Sequence, residues 1–183
     1  MIKLHYISIF ILAFATACSV SKEAGSLRSE ARKERKIAEQ MAIRKAIESR
    51  QYVMKMDKII PINGRMMEIV PRNNFIIVNG EIVSVSLAYL GPSFGTRKIT
   101  GINFNGRTGK YIMKSDEIKG LYNIQIEALT KNNDKFDIYI TLGTNGYCSA
   151  SINNPYIQSV SYEGIVVPLS AFKPPAVRPG RGI

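Results

Sequence analysis

From residue 52 onward, apolar side chains recur at every second position. "YVMKMDKII" sets Tyr52, Met54 and Met56 against Val53, Lys55 and Asp57, and "EIVSVSLAY" sets Val83, Val85, Leu87 and Tyr89 against Ser84, Ser86 and Ala88. "LYNIQIEA" places Tyr122, Ile124 and Ile126 opposite Asn123, Gln125 and Glu127. "KFDIYITL" places Phe136, Ile138, Ile140 and Leu142 opposite Asp137, Tyr139 and Thr141, and "YCSASI" puts Cys148, Ala150 and Ile152 on one side. A period of two marks strands with one buried face, the habit of antiparallel sheets; a parallel sheet would show continuous apolar runs and intervening helices. Asn-Gly pairs at 63–64, 79–80, 105–106 and 145–146 predict tight hairpin turns, because both residues accept positive φ, and "KNND" at 131–134 predicts another. About eight to ten strands follow from this pattern.

Before residue 52 the pattern is helical. Residues 27–50 contain no Gly or Pro and are rich in Ala, Glu, Lys, Arg and Gln. Their first part, "RSEARKERK", is almost wholly charged and predicts a solvated face, or one that touches anionic headgroups through Arg32, Lys33, Arg35 and Lys36. Ile37, Met41, Ile43 and Ile47, with Ala38, Ala42 and Ala46 four apart, predict a half that docks on the sheet. The fold class expected is mainly β (α+β): an N-terminal helix, then an antiparallel sheet or sandwich of consecutive hairpins. Residues 27–166 form the single domain, 18–26 read as a flexible tether, and the Pro-rich basic tail 167–183 reads as extended.

The first residues change the picture most. Lys3, an apolar run over residues 7–17 and the small residues Ala15, Thr16 and Ala17 form a secretory signal, 1–17, too short to span a bilayer as a helix. The run stops at Cys18. "ATAC" resembles the bacterial lipobox, in which the cysteine is lipidated and becomes N-terminal, although Ala15 stands where Leu is usual. Lipidation at Cys18 would anchor the chain to a membrane without a span, at about 0.8 kcal/mol per buried CH₂. Ser19 does not resemble the Asp that retains lipoproteins at the inner membrane, so the outer membrane is expected, on its periplasmic face or at the surface.

Cleavage before Cys18 also removes His5, the only histidine of the 183 residues. Histidine-dependent hydrolysis and histidine zinc sites are then closed to the mature chain, and Cys148 alone cannot build a thiolate site. No catalytic residue, metal or cofactor is expected. Cys148 shares a face with Ala150 and Ile152 and reads as a buried, inert thiol. "GINFNGRT" at 101–108 nearly matches a phosphate-binding loop, but Ile102 and Phe104 alternate with Asn103 and Asn105, which favours a hairpin. The formal net charge of +11 permits anionic partners without choosing among them. Bases and aromatics do not interleave as in RNA-binding strands, so nucleic acid is not expected. "YLGPSFGTRK" at 89–98 is the most unusual loop; Tyr89, Phe94 and Arg97 are candidates to line a ligand groove, or Phe94 plugs the core.

Several segments together resemble a domain family of unknown function among Bacteroidetes-type envelope lipoproteins. They are "FIIVNGEIVSVSLAYLG", "LGPSFGTR", "GINFNG", "YNIQIEA", "FDIYITLGTNGYCSASI" and "VSYEGIV", covering about residues 37–166. Ser93 and Thr96 depart from the family's loop pattern. The resemblance implies a β-rich envelope domain and carries over no activity, substrate or catalytic residue. The function expected is therefore a lipid-anchored envelope protein with a non-enzymatic binding or structural role, its ligand unidentified and its partner an anionic glycan, a lipid or another envelope protein. The alternative reading is a binder of anionic glycan or lipid through the basic surface, and a third is a carboxylate-dependent hydrolase.

Overall fold

A computed structural model describes residues 19–62, 64–92 and 99–175. Helix α1 spans Ser19–Glu48. Nine strands follow: β1 (Gln51–Pro61), β2 (Met67–Glu68), β3 (Phe75–Asn79), β4 (Ile82–Ala88), β5 (Gly101–Asp116), β6 (Leu121–Thr130), β7 (Lys135–Gly143), β8 (Tyr147–Asn154) and β9 (Ile157–Pro168). Residues 19–26, expected as a tether, are helical; only Gly25 among them is a poor helix former, and a single one is tolerated within a long helix.

Every pairing is antiparallel, in the order β2-β1-β3-β4-β5-β6-β7-β8-β9, and β1 also pairs with β9. That last pairing closes eight strands into a barrel. The sandwich expectation is thereby corrected. β1 is long enough to bond β3 with its first half while running beside β9 from Tyr52 to Pro61, so no second sheet forms. An eight-stranded barrel has an interior that side chains can fill. The alternating apolar positions fill it: Met54, Met56, Ile76, Val78, Val83, Ile126, Ile138, Leu142, Cys148 and Ile152 are fully buried. Apolar inside and polar outside is the reverse of a lipid-facing barrel. No helix among the described residues is long and apolar enough to cross a membrane.

The second half of α1 belongs to the barrel unit, Gln40–Ile183. Ile43, Ala46 and Ile47 are buried, whereas Ile37 and Met41 are exposed and Ala38 and Ala42 face water. The docked stripe is therefore i, i+3, i+4 from Ile43, not the alanine row. It lies at the end of the barrel where the β7–β8 turn approaches: a Cβ on Gly146 would stand 3.9 Å from Ile43 Cδ1. The Tyr122 hydroxyl donates to Glu48 at 3.3 Å. Arg50 takes positive φ, turns the chain into β1, and lays its guanidinium 4.1 Å over the Tyr111 ring. Residues 28–39 of α1 are exposed throughout, as a solvated face requires.

The hairpins at Gly80, at 131–134 and at Gly146 form as the sequence predicts. Asn105-Gly106 does not turn. It lies inside β5, where Gly106 pairs with both Val83 and Thr130. A Cβ there would come within 3.0 Å of the Leu129 carbonyl oxygen, so this glycine permits close strand approach. The segment is strand, not a helix-opening phosphate loop. Beyond residue 166, β9 continues to Pro168, a 3₁₀ turn covers Leu169–Ala171, and Phe172 packs on Phe75 with ring centroids 5.3 Å apart. The first part of the expected tail thus belongs to the barrel wall and its cover.

Candidate functional site

Three of the residues singled out from the sequence, Cys18, Phe94 and Arg97, lie outside the described residues. Tyr89 is described and buried; the groove it was expected to line with Phe94 and Arg97 depends on residues outside the described ones. The Tyr89 hydroxyl donates to the Pro92 carbonyl and accepts the Gln158 N–H at 3.0 Å. Nearby, Tyr162 donates to the Ala88 carbonyl at 2.9 Å. Both tyrosines fasten the corner after β4 to the start of β9, so Tyr89 acts as a lock on the end of the barrel.

The concave surface lies on the outer wall, across β5, β6, β7, β8, β9 and β1, and encloses about 640 Å³. Strand register builds it from two rows of outward positions. The first runs Lys114, Asn123, Thr141, Ser149, Glu163, Lys58, each directly opposite the next. The second runs Ile112, Gln125, Tyr139, Ser151, Ser161, Ile60. All twelve line the groove except Lys58, which closes its row by an ion pair with Glu163 at 3.7 Å. Tyr147 lines it too, on the side of the first row away from Tyr139. Tyr139 and Tyr147 are 44% and 42% exposed, which leaves ring surface available to a ligand.

The polar atoms are partly prearranged. Thr141 donates to Asn123 Oδ1 at 3.1 Å, and the Ser151 and Ser159 hydroxyls share a hydrogen bond at 2.9 Å. Partial burial pushes the Tyr147 phenol up, and the nearby Glu163 carboxylate pushes it further. The phenol stays protonated and is no activated nucleophile. Glu163 is the one carboxylate in the lining. Glu127 and Asp137 face each other across β6 and β7, but Lys135 holds both, at 2.7 and 3.8 Å, and neither lines the groove. Among the described residues no three His, Cys, Asp or Glu side chains cluster as metal ligands.

Cys148 is free and fully buried, and desolvation pushes its thiol from 9.0 up to about 12. Burial raises Tyr52 and Tyr162 as well. The unfolded chain therefore releases these protons at lower pH than the folded one, and stability must fall as pH rises above about 9. Urea midpoints at about pH 7 and about pH 10.5 should show a marked drop, smaller in Cys148→Ala; equal midpoints would contradict this burial.

The sequence pattern held a usable signal for the groove. Outward positions over residues 123–163 are mainly Asn, Gln, Ser, Thr and Tyr, not the Lys and Glu of an ordinary solvated face. Fold and site together define a closed β-barrel whose outer wall carries a groove lined by amide, hydroxyl and phenol side chains among apolar ones. Residues 34–166 match the family described as domain of unknown function DUF4251, and the chain belongs to that family. The structure is similar to the crystal structure of a DUF4251 family protein from Bacteroides eggerthii DSM 20697. The TM-score is 0.61 at 20% identity, over 73% of this chain and 89% of that one. None of the curated proteins is similar enough to count as a match.

Proposed function

We propose that this chain is a lipid-anchored cell-envelope protein with a non-enzymatic binding role, held at the outer membrane through Cys18 and engaging its ligand on the outer groove. The observation that carries the binding role is the pair of outward rows over six strands, rich in amides and hydroxyls, with the exposed Tyr139 within one row and Tyr147 beside the other. A packed interior supports it, since the inward positions are occupied by the chain's own side chains and leave the wall as the working surface. A carboxylate-dependent hydrolase is disfavoured because the groove offers one acid where two are needed.

The anchor reading rests on the signal segment and the small residues before Cys18. The exposed bases Arg28, Arg32, Lys33, Arg35 and Lys36 of α1 would favour an anionic headgroup surface near that anchor. Cys18→Ala should move the protein from the membrane pellet to the soluble fraction of the envelope. Unchanged sedimentation with membranes would reject lipid anchoring.

A further inference from the structure

We infer that the groove binds a neutral saccharide chain, laid across the strands with sugar ring faces on Tyr139 and Tyr147; this rests on the binding role proposed above. The lining chemistry selects it. Asn123, Gln125, Thr141, Ser149, Ser151 and Ser161 carry amides and hydroxyls. Each of these groups both donates and accepts, which suits a ligand whose polar groups are hydroxyls. Tyr139 stands one pleat to one side of the Thr141–Ser149 pair and Tyr147 one pleat to the other. A row of hydroxyls is thus flanked by two aromatic faces that can stack on the apolar C–H face of a sugar ring. Five inter-strand spacings of about 4.8 Å give the rows a length of about 24 Å, enough for a short chain and not only one ring.

Other occupants fit less well. The net charge of the whole chain suggests an anion, but the groove itself is nearly neutral. Lys58 is committed to Glu163, which leaves Lys114 as the remaining cation in the two rows. An acyl chain needs a continuous apolar floor; of the apolar residues bordering the groove, Ile124, Ile140, Ala150 and Tyr162 are buried in the core, and Ile112 and Ile60 sit at opposite ends of the second row. A peptide added as a strand needs an open sheet edge, and β6, β7, β8 and β9 are each hydrogen-bonded on both sides.

The test is affinity electrophoresis of the full chain through gels containing a soluble β-glucan, a mannan, dextran or polygalacturonate, with flotation on phosphatidylglycerol vesicles in parallel. At least one neutral polysaccharide should retard the wild type. Tyr139→Ala and Tyr147→Ala should each weaken that retardation about tenfold, while Tyr139→Phe, which keeps the ring face, should retain most of it. Circular dichroism should show all three variants folded, since both side chains are well exposed. Absence of retardation by every neutral polysaccharide, or equal retardation of wild type and alanine variants, would overturn the inference. Groove-dependent binding of polygalacturonate or vesicles alone would also overturn it, yet leave the broader binding role standing.

Discussion

Replacing Gly164 by alanine is expected to lower the thermal midpoint by about 10 °C or to prevent folding. Gly164 faces inward on β9, opposite Cys148 on one side and Met56 on the other. It sits where β1 carries a bulge between Met56 and Lys58. An added Cβ would collide with the Lys55 carbonyl oxygen and stand 2.8 Å from Met56 Cα. These are backbone atoms of the strand that closes the barrel, so no rotamer change relieves the clash. Overpacking a core costs about 1–3 kcal/mol when side chains can yield. Here they cannot, and a loss at or above about 3 kcal/mol corresponds to that midpoint shift in a chain of this size. Ser161→Ala on the outer wall provides the control and should stay within about 0.5 kcal/mol. A Gly164→Ala protein that melts with the wild type would contradict the β1–β9 closure.

The second large effect concerns the helix. Ile47→Asp should destabilise the barrel by more than about 4 kcal/mol, whereas Met41→Asp should leave it nearly unchanged. Ile47 is fully buried at the barrel end and Met41 is 66% exposed, although both lie on the same apolar-rich half of α1. Aspartate at 47 loses the burial of a large aliphatic side chain, about 1.5–3 kcal/mol, and places a carboxylate in an apolar site. Chemical denaturation of the two variants separates the docked face from the solvated one. Equal effects would mean that the helix end does not close the barrel.

Much of the wall was legible in the sequence because alternation reports directly which side chains turn inward. Val83, Val85, Leu87, Ile124, Ile126, Ile138, Ile140 and Cys148 are all buried as their spacing requires. Turn chemistry placed the hairpins at Gly80 and Gly146 but misplaced one at Gly106. A glycine that lets strands approach and a glycine that lets the chain turn look alike in a sequence. Closure was not legible. It joins β1 to β9 across about a hundred residues, and local periodicity carries no information on such a pairing.

Tyr89, in phase with Leu87, is buried as the alternation implies, and its hydroxyl holds the corner after β4. Asn123, Gln125, Tyr139 and Thr141 were visible as outward positions, whereas Ile60 shares the phase of Met54 and Met56 until the bulge in β1 turns it outward. Their joining into rows depends on the register of six strands, which only the folded sheet displays. Of the apolar helix residues the sequence singles out, Ile43, Ala46 and Ile47 dock while Ile37, Met41, Ala38 and Ala42 do not, because the bulkier Ile43 and Ile47 bury more apolar surface.

The proposed working surface is the outer wall. Its most direct test is amide chemical-shift mapping of the full chain during titration with β-glucan, mannan and dextran oligosaccharides. The largest shifts are expected at Gln125, Tyr139, Thr141, Ser149 and Ser151, with the Tyr89–Pro92 corner unmoved. Shifts gathered at that corner, or spread through the inward residues of the barrel, would contradict it.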